Sequence, residues 1–172
     1  MVRRAGISLV RTLPSQPVFL SVDRTKFSRL LGNLLSNALK FTPEGGTIEI
    51  AARIEADPAS LWERIPPAAY PPERLPQGGP FLLLTVSDTG EGIPADALVI
   101  IFDRFVQARN RKQGKSGGTG LGLAFCRKAM DALGGFIWAE SEVGTGSTFL
   151  MLFPLGGVTP GGPKVRSYGT MS

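Results

Sequence analysis

The segment from residue 27 to residue 41 is predicted to form a helix with two different sides. At about 100° per residue, its apolar side chains fall on one broad face, formed by Phe27, Leu30, Leu31, Leu34, Leu35 and Ala38. Asn33, Asn37 and Lys40 fall within about 60° of one another, on a stripe about 120° from the centre of that face. We therefore expect one side of this helix to pack on a sheet.

Strand patterns and glycine-rich turns occupy most of the remaining chain. Asp23 is a candidate N-cap for the helix, which is expected to end at Phe41, before a Pro–Glu–Gly–Gly sequence. Strands are predicted at residues 18–22, 47–54, 81–88, 136–141 and 147–155, the first a short edge strand and the third a buried strand. Helices are also predicted at residues 95–105 and 119–135.

Two proline- and glycine-rich stretches interrupt this pattern. Residues 55–80 are interpreted as an irregular insertion that forms a tolerated surface loop, with a partner-binding surface as the alternative. Residues 156–172 are interpreted as a disordered tail or a linker. The chain is therefore expected to form one domain, from residue 1 to residue 155.

Composition argues against several classes of function. The chain contains no histidine, which excludes histidine triads, histidine metal ligands and histidine general bases on this chain. The single cysteine, Cys126, argues against a zinc site and fits a reducing, cytoplasmic setting. No apolar run is long enough to span a membrane. The net charge is +5, but no run of lysine and arginine reaches the density of a nucleic-acid-binding patch. We expect no membrane contact by this domain and no nucleic-acid partner.

The polar stripe of the helix matches the needs of one kind of ligand. Amide oxygens are hard ligands that suit Mg²⁺, which keeps several waters and shares phosphate oxygens. The ammonium group of Lys40 could balance the charge of a phosphate. Taken alone, the helix leaves a solvated face as the alternative to a site for Mg²⁺ and a polyphosphate.

Two glycine-rich motifs follow. DTGEGIP, at 88–94, comes directly after the buried strand, and the carboxylate of Asp88 could accept a hydrogen bond from an exocyclic amine such as that of adenine. Gly90 and Gly92 would let the backbone pass close to a flat ligand. GGTGLGL, at 117–123, opens a helix whose free N–H groups could hold an anion. An ordinary turn is the alternative for the first motif, and a flexible turn with a helix cap for the second.

The residues between these two motifs are basic. Five cations lie close together, namely Arg104, Arg109, Arg111, Lys112 and Lys115. We interpret the segment of about 103–118 as a lid that closes over a triphosphate. A solvated basic loop is the alternative.

Taken together and in this order, the four motifs resemble those of the catalytic ATP-binding domain of sensor histidine kinases, in the superfamily that includes gyrase B, Hsp90 and MutL. NLLSNALKFT resembles the N box, DTGEGIP the G1 box, FDRF the F box and GGTGLGL the G2 box, while GTGSTF at 144–149 resembles the last conserved turn and strand. The resemblance covers residues 15–155. It implies the Bergerat ATP-binding fold, an α/β two-layer sandwich with a mixed, mainly antiparallel five-stranded sheet and three helices on one face.

The resemblance assigns roles to individual residues, with ATP and Mg²⁺ as ligands. Asn37 would ligate Mg²⁺, and Asn33 would assist at the metal and the phosphates. Lys40 and Arg104 would contact phosphate, and Asp88 would bind the adenine amino group. Phe102 and Phe105 would anchor the lid. The remaining nucleotide-binding positions implied by the motifs are Gly90, Gly92, Ile93, Gly118, Thr119, Gly120, Leu121 and Gly122.

One position in the resemblance distinguishes a kinase from an ATPase. Gyrase-like members carry a glutamate that activates water one turn before the metal-binding asparagine, and this chain has Asn33 there. An amide cannot take a proton from water at neutral pH. We therefore expect transfer of the γ-phosphoryl group to a histidine on a separate dimerisation and phosphotransfer domain, with a response regulator downstream.

Because the chain has no histidine of its own, we interpret it as a piece of a longer kinase, and we expect the isolated domain to be monomeric. The alternatives are a serine kinase of the anti-sigma type and a module that binds nucleotide without transferring phosphate. A DNA-dependent ATPase of the gyrase type is disfavoured by Asn33.

Overall fold

The computed structural model describes residues 6–67, 69–71, 74–76, 78–98, 100–103 and 121–155. The strands in these ranges are β1 (Ser8–Thr12), β2 (Thr47–Glu55), β3 (Phe81–Asp88), β4 (Phe136–Glu142) and β5 (Gly146–Pro154). The helices are α1 (Arg24–Phe41), α2 (Ala59–Trp62), α3 (Ala95–Leu98) and α4 (Leu121–Ala132).

The five strands form one sheet in the order β1-β2-β3-β5-β4. Strand β1 runs parallel to β2, and each of the other neighbouring pairs is antiparallel. Strand β3, predicted to be buried, is a central strand between β2 and β5. The sheet is therefore mixed and mainly antiparallel, as predicted.

Helix α1 begins and ends where the sequence predicts. The N–H of Lys26 donates to Oδ1 of Asp23 at 3.0 Å, which confirms Asp23 as the N-cap. Its apolar side packs on the sheet, and the side chains of Leu30 and Leu34 are fully buried. At the other end, the N–H of Thr42 closes the last turn by donating to the Ala38 carbonyl at 2.9 Å.

The main hydrophobic core lies between the sheet and the helices. Helix α4 contributes Cys126, Ala129 and Met130, which pack with α1 and with one face of the sheet. Burial raises the pKa of the Cys126 thiol to about 12, so this cysteine is a protonated core residue. Leu98 of α3 packs against the same core. Helices α1, α3 and α4 thus share one face of the sheet.

The predicted edge strand at residues 18–22 is wrong. This segment is extended but pairs with no strand among the described residues, and the edge strand is instead β1, at Ser8–Thr12. Val18, Leu20 and Val22 reach the core from the extended segment. An alternating apolar pattern arises from any extended segment that lies on a core, because successive side chains point to opposite sides whether or not the backbone is paired.

The structure describes parts of the two other predicted helices. In the described residues of 95–103, the first is helical over Ala95–Leu98, and turns follow up to Asp103. The second is described from Leu121 and is helical to Ala132, and the predicted closing glycine Gly134 follows with a φ of 70°, which favours glycine. No helix in the described ranges is both long and apolar enough to cross a bilayer.

The proline-rich insertion is more than a surface loop. Leu61, Ile65 and Tyr70 are buried against the sheet face opposite to α1 and α4. On that face they meet side chains of β3, β4 and β5, namely Phe81, Leu83, Phe136, Trp138, Leu150 and Leu152. The insertion therefore covers part of the second face of the sheet. The predicted tail at 156–172 lies outside the described residues.

Candidate functional site

The polar stripe predicted for α1 is present in the structure. Asn33 and Asn37 are half-buried and Lys40 is exposed, whereas Leu30 and Leu34, which belong to the apolar face, are fully buried. The Nζ atom of Lys40 lies 4.8 Å from the centroid of the neighbouring Phe41 ring. The stripe is therefore not part of the core, and its two amides are partly shielded from water.

Asn33 joins α1 to the first turn of α4. Its Nδ2 donates to the carbonyl oxygen of Gly122 at 3.3 Å. The two residues are in close contact, since a Cβ added to Gly122 would lie 3.6 Å from Cγ of Asn33. The structure thus brings the predicted metal-binding helix against the end of the second glycine motif.

Asp88 is held at the end of β3 with its carboxylate half-buried. The N–H of Gly90 donates to its Oδ1 at 2.8 Å. Burial raises the pKa of the Asp88 carboxyl above its usual value of 3.8, and hydrogen bonds from the backbone of Gly90 and Ser147 oppose that rise. Since a carboxylate offers about four acceptor positions, it can still accept a hydrogen bond from a ligand amine.

Gly90 and Gly92 are required by packing within the protein. A Cβ on Gly90 would lie 2.6 Å from the Phe41 carbonyl oxygen, at the end of α1. A Cβ on Gly92 would lie 2.2 Å from the Glu142 carbonyl oxygen, and its φ of 76° also favours glycine. These glycines were predicted to let a ligand approach the backbone closely, and packing within the protein is a second reason for them.

The turn between β4 and β5 supports Asp88 from the other side. Gly146 has a φ of 134°, and a Cβ on it would lie 1.9 Å from the Asp88 carbonyl oxygen. Ser141 Oγ accepts from the Ile93 N–H at 2.7 Å and donates to the Gly146 carbonyl at the same distance. The sequence analysis assigned no role to Gly146, Ser147 or Ser141, although the GTGSTF motif marked the first two.

Ile93 and Phe102 fix the chain on either side of α3. Ile93 is held by Ser141 and packs against the main core. The ring of Phe102 lies edge-on to that of Phe149, with 6.3 Å between the centroids. Phe102 thus packs on the sheet, and its role as an anchor of the lid stays a prediction. Direct contact of either side chain with a nucleotide stays a prediction.

An open cavity of about 710 Å³ lies beside the first glycine motif. Lys40 and Gly90 line it, together with Phe41, Thr42 and Glu91. Neither Asn33, Asn37 nor Asp88 is among its lining residues. We therefore define the candidate site by the side chains that α1, β3 and α4 bring together, and regard the cavity as space at its margin.

The donor set fits Mg²⁺ bound together with a phosphorylated ligand. No cluster of three or more histidine, cysteine, aspartate or glutamate side chains suited to a metal occurs in the described part of the chain. A cation here would depend on the amide oxygen of Asn37, on water and on phosphate oxygens, a set that Mg²⁺ accepts.

Several predicted site residues cannot be compared with the structure. Arg104, Phe105, Gly118, Thr119 and Gly120 lie outside the described residues, as does the predicted lid apart from Asp103. Leu121 is described as the first residue of α4. Their assigned roles stay predictions.

The chain matches one family and many sensor kinases. A family model described as histidine kinase-, DNA gyrase B- and HSP90-like ATPase matches residues 22–157. The chain is 31% identical over 154 residues to the sensor histidine kinase WalK of Bacillus subtilis, covering 90% of this chain and 22% of WalK. It is 38% identical over 144 residues to the sensor histidine kinase RcsC of Escherichia coli, covering 84% of this chain and 13% of RcsC.

A third relative is the adaptive-response sensory kinase SasA of Synechococcus elongatus, 35% identical over 147 residues, with 86% of this chain and 32% of SasA covered. The chain spans 13% to 32% of the length of these three relatives. Each of them is much longer than the region that this chain matches.

Solved structures show the same fold. The nucleotide-free catalytic domain of histidine kinase ThkA superposes with a TM-score of 0.63 at 26% identity, covering 87% of this chain and 79% of that domain. Full-length ShkA in complex with AMPPNP gives a TM-score of 0.61 at 27% identity, covering 87% of this chain and 26% of ShkA. The mycobacterial sensor histidine kinase MprB, at 21% identity and a TM-score of 0.63, supports the fold alone, over 87% of this chain and 82% of MprB.

These similarities confirm the α/β fold that the motifs implied. The family model covers most of the chain, and it begins just before α1 and ends just beyond β5. All the described elements that carry the candidate site, from Asn33 to Ser147, lie inside the matched region. The chain therefore belongs to the histidine kinase-, DNA gyrase B- and HSP90-like ATPase family.

Proposed function

We propose that this chain binds ATP with Mg²⁺ and transfers the γ-phosphoryl group to a histidine on a separate dimerisation and phosphotransfer domain. The observation that carries the proposal is that α1 contacts both glycine motifs. Asn33 holds Gly122 of the second motif, and the Phe41 carbonyl packs against Gly90 of the first. The groups expected to bind phosphates and adenine are therefore arranged around one helix.

Each side chain has a task that its chemistry allows. Asp88 in its ionised form would accept the adenine amino hydrogen, because that form leaves both oxygens as acceptors. Asn37 would hold the metal through its amide oxygen, and Lys40 would contact phosphate. Bound Mg²⁺ would supply charge that offsets the charge on the transferred phosphoryl group. The chain's own contribution is to bind and orient the nucleotide.

The environment of Asn33 favours a kinase over an ATPase. Its amide nitrogen is already a donor to the Gly122 carbonyl, and its amide oxygen is too weak a base to deprotonate water. The site therefore lacks the water-activating group that a gyrase-type ATPase has at this position. ATP would be held until a nucleophile from another domain arrives.

The acceptor must lie outside this chain, because the chain contains no histidine. We propose a helical domain of the same full-length kinase as the partner, with a response regulator receiving the phosphoryl group next. The domain would act as a monomer at the cytoplasmic side of such a kinase. A serine kinase of the anti-sigma type is the second candidate, since it too carries no acceptor histidine in this domain.

One experiment distinguishes the histidine kinase from the serine kinase and from an ATPase. The purified chain is incubated with radiolabelled Mg-ATP and with a helical domain that carries the proposed acceptor histidine, and a variant of that domain lacking the histidine is the matched control. We expect label on the histidine domain alone, lost in acid and kept in alkali as phosphohistidine is. Acid-stable label would favour the serine kinase, and rapid phosphate release by the chain alone would overturn the kinase assignment.

A further inference from the structure

The proline-rich insertion makes a directed contact with α4 as well as covering the sheet. We call residues 58–70, of which residue 68 is not described, the clasp. The Arg127 side chain of α4 reaches the clasp, and its guanidinium carbon lies 3.7 Å from the centroid of the Tyr70 ring. Nη2 of Arg127 also donates to the Ala69 carbonyl oxygen. These are a cation–π contact and a charge-assisted hydrogen bond from one side chain.

The clasp is itself fixed to the edge strand β4. The Tyr70 hydroxyl oxygen accepts from the backbone N–H of Ile137 at 2.9 Å, which occupies a donor that an edge strand would otherwise leave open. Arg64 donates from Nε and Nη2 to the two carboxylate oxygens of Glu140, at 2.9 and 2.6 Å. The clasp therefore offers Arg127 an anchored partner.

Arg127 holds α4 on a different side from α1. Gly122 and Cys126 face α1, where they meet the Asn33 side chain and the Leu30 carbonyl. At about 100° per residue, Arg127 lies about 140° around the helix from Gly122. The packing of Cys126, Ala129 and Met130 on α1 and the sheet already limits the rotation of α4 about its axis, and a second contact on another side of the helix restricts that rotation further. The clasp supplies the second contact.

The ion pair between Arg127 and Asp131, which both lie on α4, does not provide this second contact. Arg127 Nε lies 3.4 Å from Oδ1 of Asp131, one turn later on α4. Such a pair within one helix adds little to its stability and leaves its orientation on the sheet undetermined. Among the contacts of Arg127, those with Tyr70 and Ala69 are the ones that reach from α4 to another part of the chain.

We propose that Arg127, held by the clasp, is a positioning residue that sets the rotation of α4 and so places Gly122 and the first turn of α4 for nucleotide binding. The insertion is then part of the binding apparatus, although none of its residues touches the nucleotide. This inference rests on the proposed function, because it names what orients a part of that same site. We therefore expect a change at Arg127 to alter the affinity of the chain for Mg-ATP.

The test compares Arg127, which contacts the clasp from α4, with Arg64, which ties the clasp to β4. Arg127→Met keeps the aliphatic stem and removes the guanidinium, while Arg64→Met removes the ion pair with Glu140 and leaves the contact with α4 intact. Calorimetry with Mg-ATP gives the affinity, and urea unfolding gives the stability. We expect at least about fivefold weaker binding for Arg127→Met, the lower end of typical coupling between sites, and less than about twofold for Arg64→Met.

Arg127→Lys is the conservative variant and keeps a cation over Tyr70, so it should recover most of the affinity. Tyr70→Leu removes the ring that Arg127 contacts, so it should weaken Mg-ATP binding as Arg127→Met does. It replaces Arg127→Met in the test if that variant does not fold. Unchanged affinity in both Arg127→Met and Tyr70→Leu, or equal losses for Arg127→Met and Arg64→Met, overturns the positioning role. Failure of the unaltered chain to bind Mg-ATP overturns the proposed function instead.

Discussion

The side-chain amide of Asn33 donates to the carbonyl oxygen of Gly122, 89 residues later, across 3.3 Å. This hydrogen bond joins the helix proposed to bind the metal to the start of the helix proposed to bind phosphate. It also fixes which way the amide points, because only the nitrogen can donate to a carbonyl. Asn33 therefore has a structural role that would hold even without a nucleotide.

Asn33→Asp tests this role with an almost isosteric change. Aspartate removes the donor and places a charged oxygen against the Gly122 carbonyl, in a half-buried position. We expect the free energy of unfolding to fall by about 1–3 kcal/mol at neutral pH, the cost of leaving a partly buried polar group unpaired. Urea unfolding measures it. Ser36→Asp, an exposed position on the same helix, is the control for added charge, and an equal loss there would contradict the role.

Asn37→Ala tests the proposed metal ligand. Alanine is a good helix former, so the fold should persist while the amide oxygen is lost. We expect affinity for ATP in the presence of Mg²⁺ to drop at least about tenfold, as for other weakened metal sites. Without Mg²⁺, variant and parent should bind almost equally. Calorimetry measures both conditions, with Ser36→Ala, on the exposed side of α1, as the matched control. Unchanged Mg²⁺-dependent binding would remove Asn37 from the site.

Elements with a repeating pattern could be predicted from the sequence. The side chains of α1 follow the helical period, and its N-cap depends on Asp23 alone, so both were predicted correctly. Strand β3 was recognisable from a continuous apolar run. The segment at 18–22 was misassigned because Val18, Leu20 and Val22 alternate toward the core in an unpaired extended chain. A periodic apolar pattern indicates which side chains are buried, but it does not indicate which strands pair through backbone hydrogen bonds.

Contacts between distant parts of the chain could not be predicted. Tyr70 bonds to Ile137 across 67 residues, and no local pattern in a proline-rich stretch signals that partner. The same holds for Gly146. This position requires glycine because a Cβ here would lie 1.9 Å from the Asp88 carbonyl oxygen. The candidate site was predictable as a set of motifs, whereas the packing that holds those motifs in place was not.

Asp88 should make stability and binding depend on pH in opposite directions. Because burial raises its pKa in the folded state, the folded chain holds this proton more tightly than the unfolded chain does. This group's contribution to stability is therefore present at low pH and is lost as pH rises from its usual pKa of 3.8 through the raised folded value. Nucleotide binding should instead weaken as pH falls through that range, since protonation removes an acceptor.

The comparison is between the parent chain and Asp88→Asn. Thermal unfolding across acid to neutral pH should show the parent losing stability relative to Asp88→Asn as pH rises through the titration of Asp88. Calorimetry at neutral pH should show that Asp88→Asn loses adenine-nucleotide binding. A parent that gains stability relative to the variant over that pH range would show that the carboxylate is favoured in the folded state, against the effect of burial.

Gly92 and Gly45 form a matched pair that separates backbone conformation from packing. Their φ values are 76° and 80°, but a Cβ on Gly92 would lie 2.2 Å from the Glu142 carbonyl oxygen, whereas a Cβ on Gly45 has no atom within 4 Å. Gly45→Ala should therefore cost about 1–2 kcal/mol, the penalty for the left-handed conformation alone. Gly92→Ala should cost a further 1–3 kcal/mol, because the backbone of Glu142 must move to make room. Urea unfolding of the two variants measures the difference. Equal losses would mean that the turn after Asp88 relaxes freely away from β4.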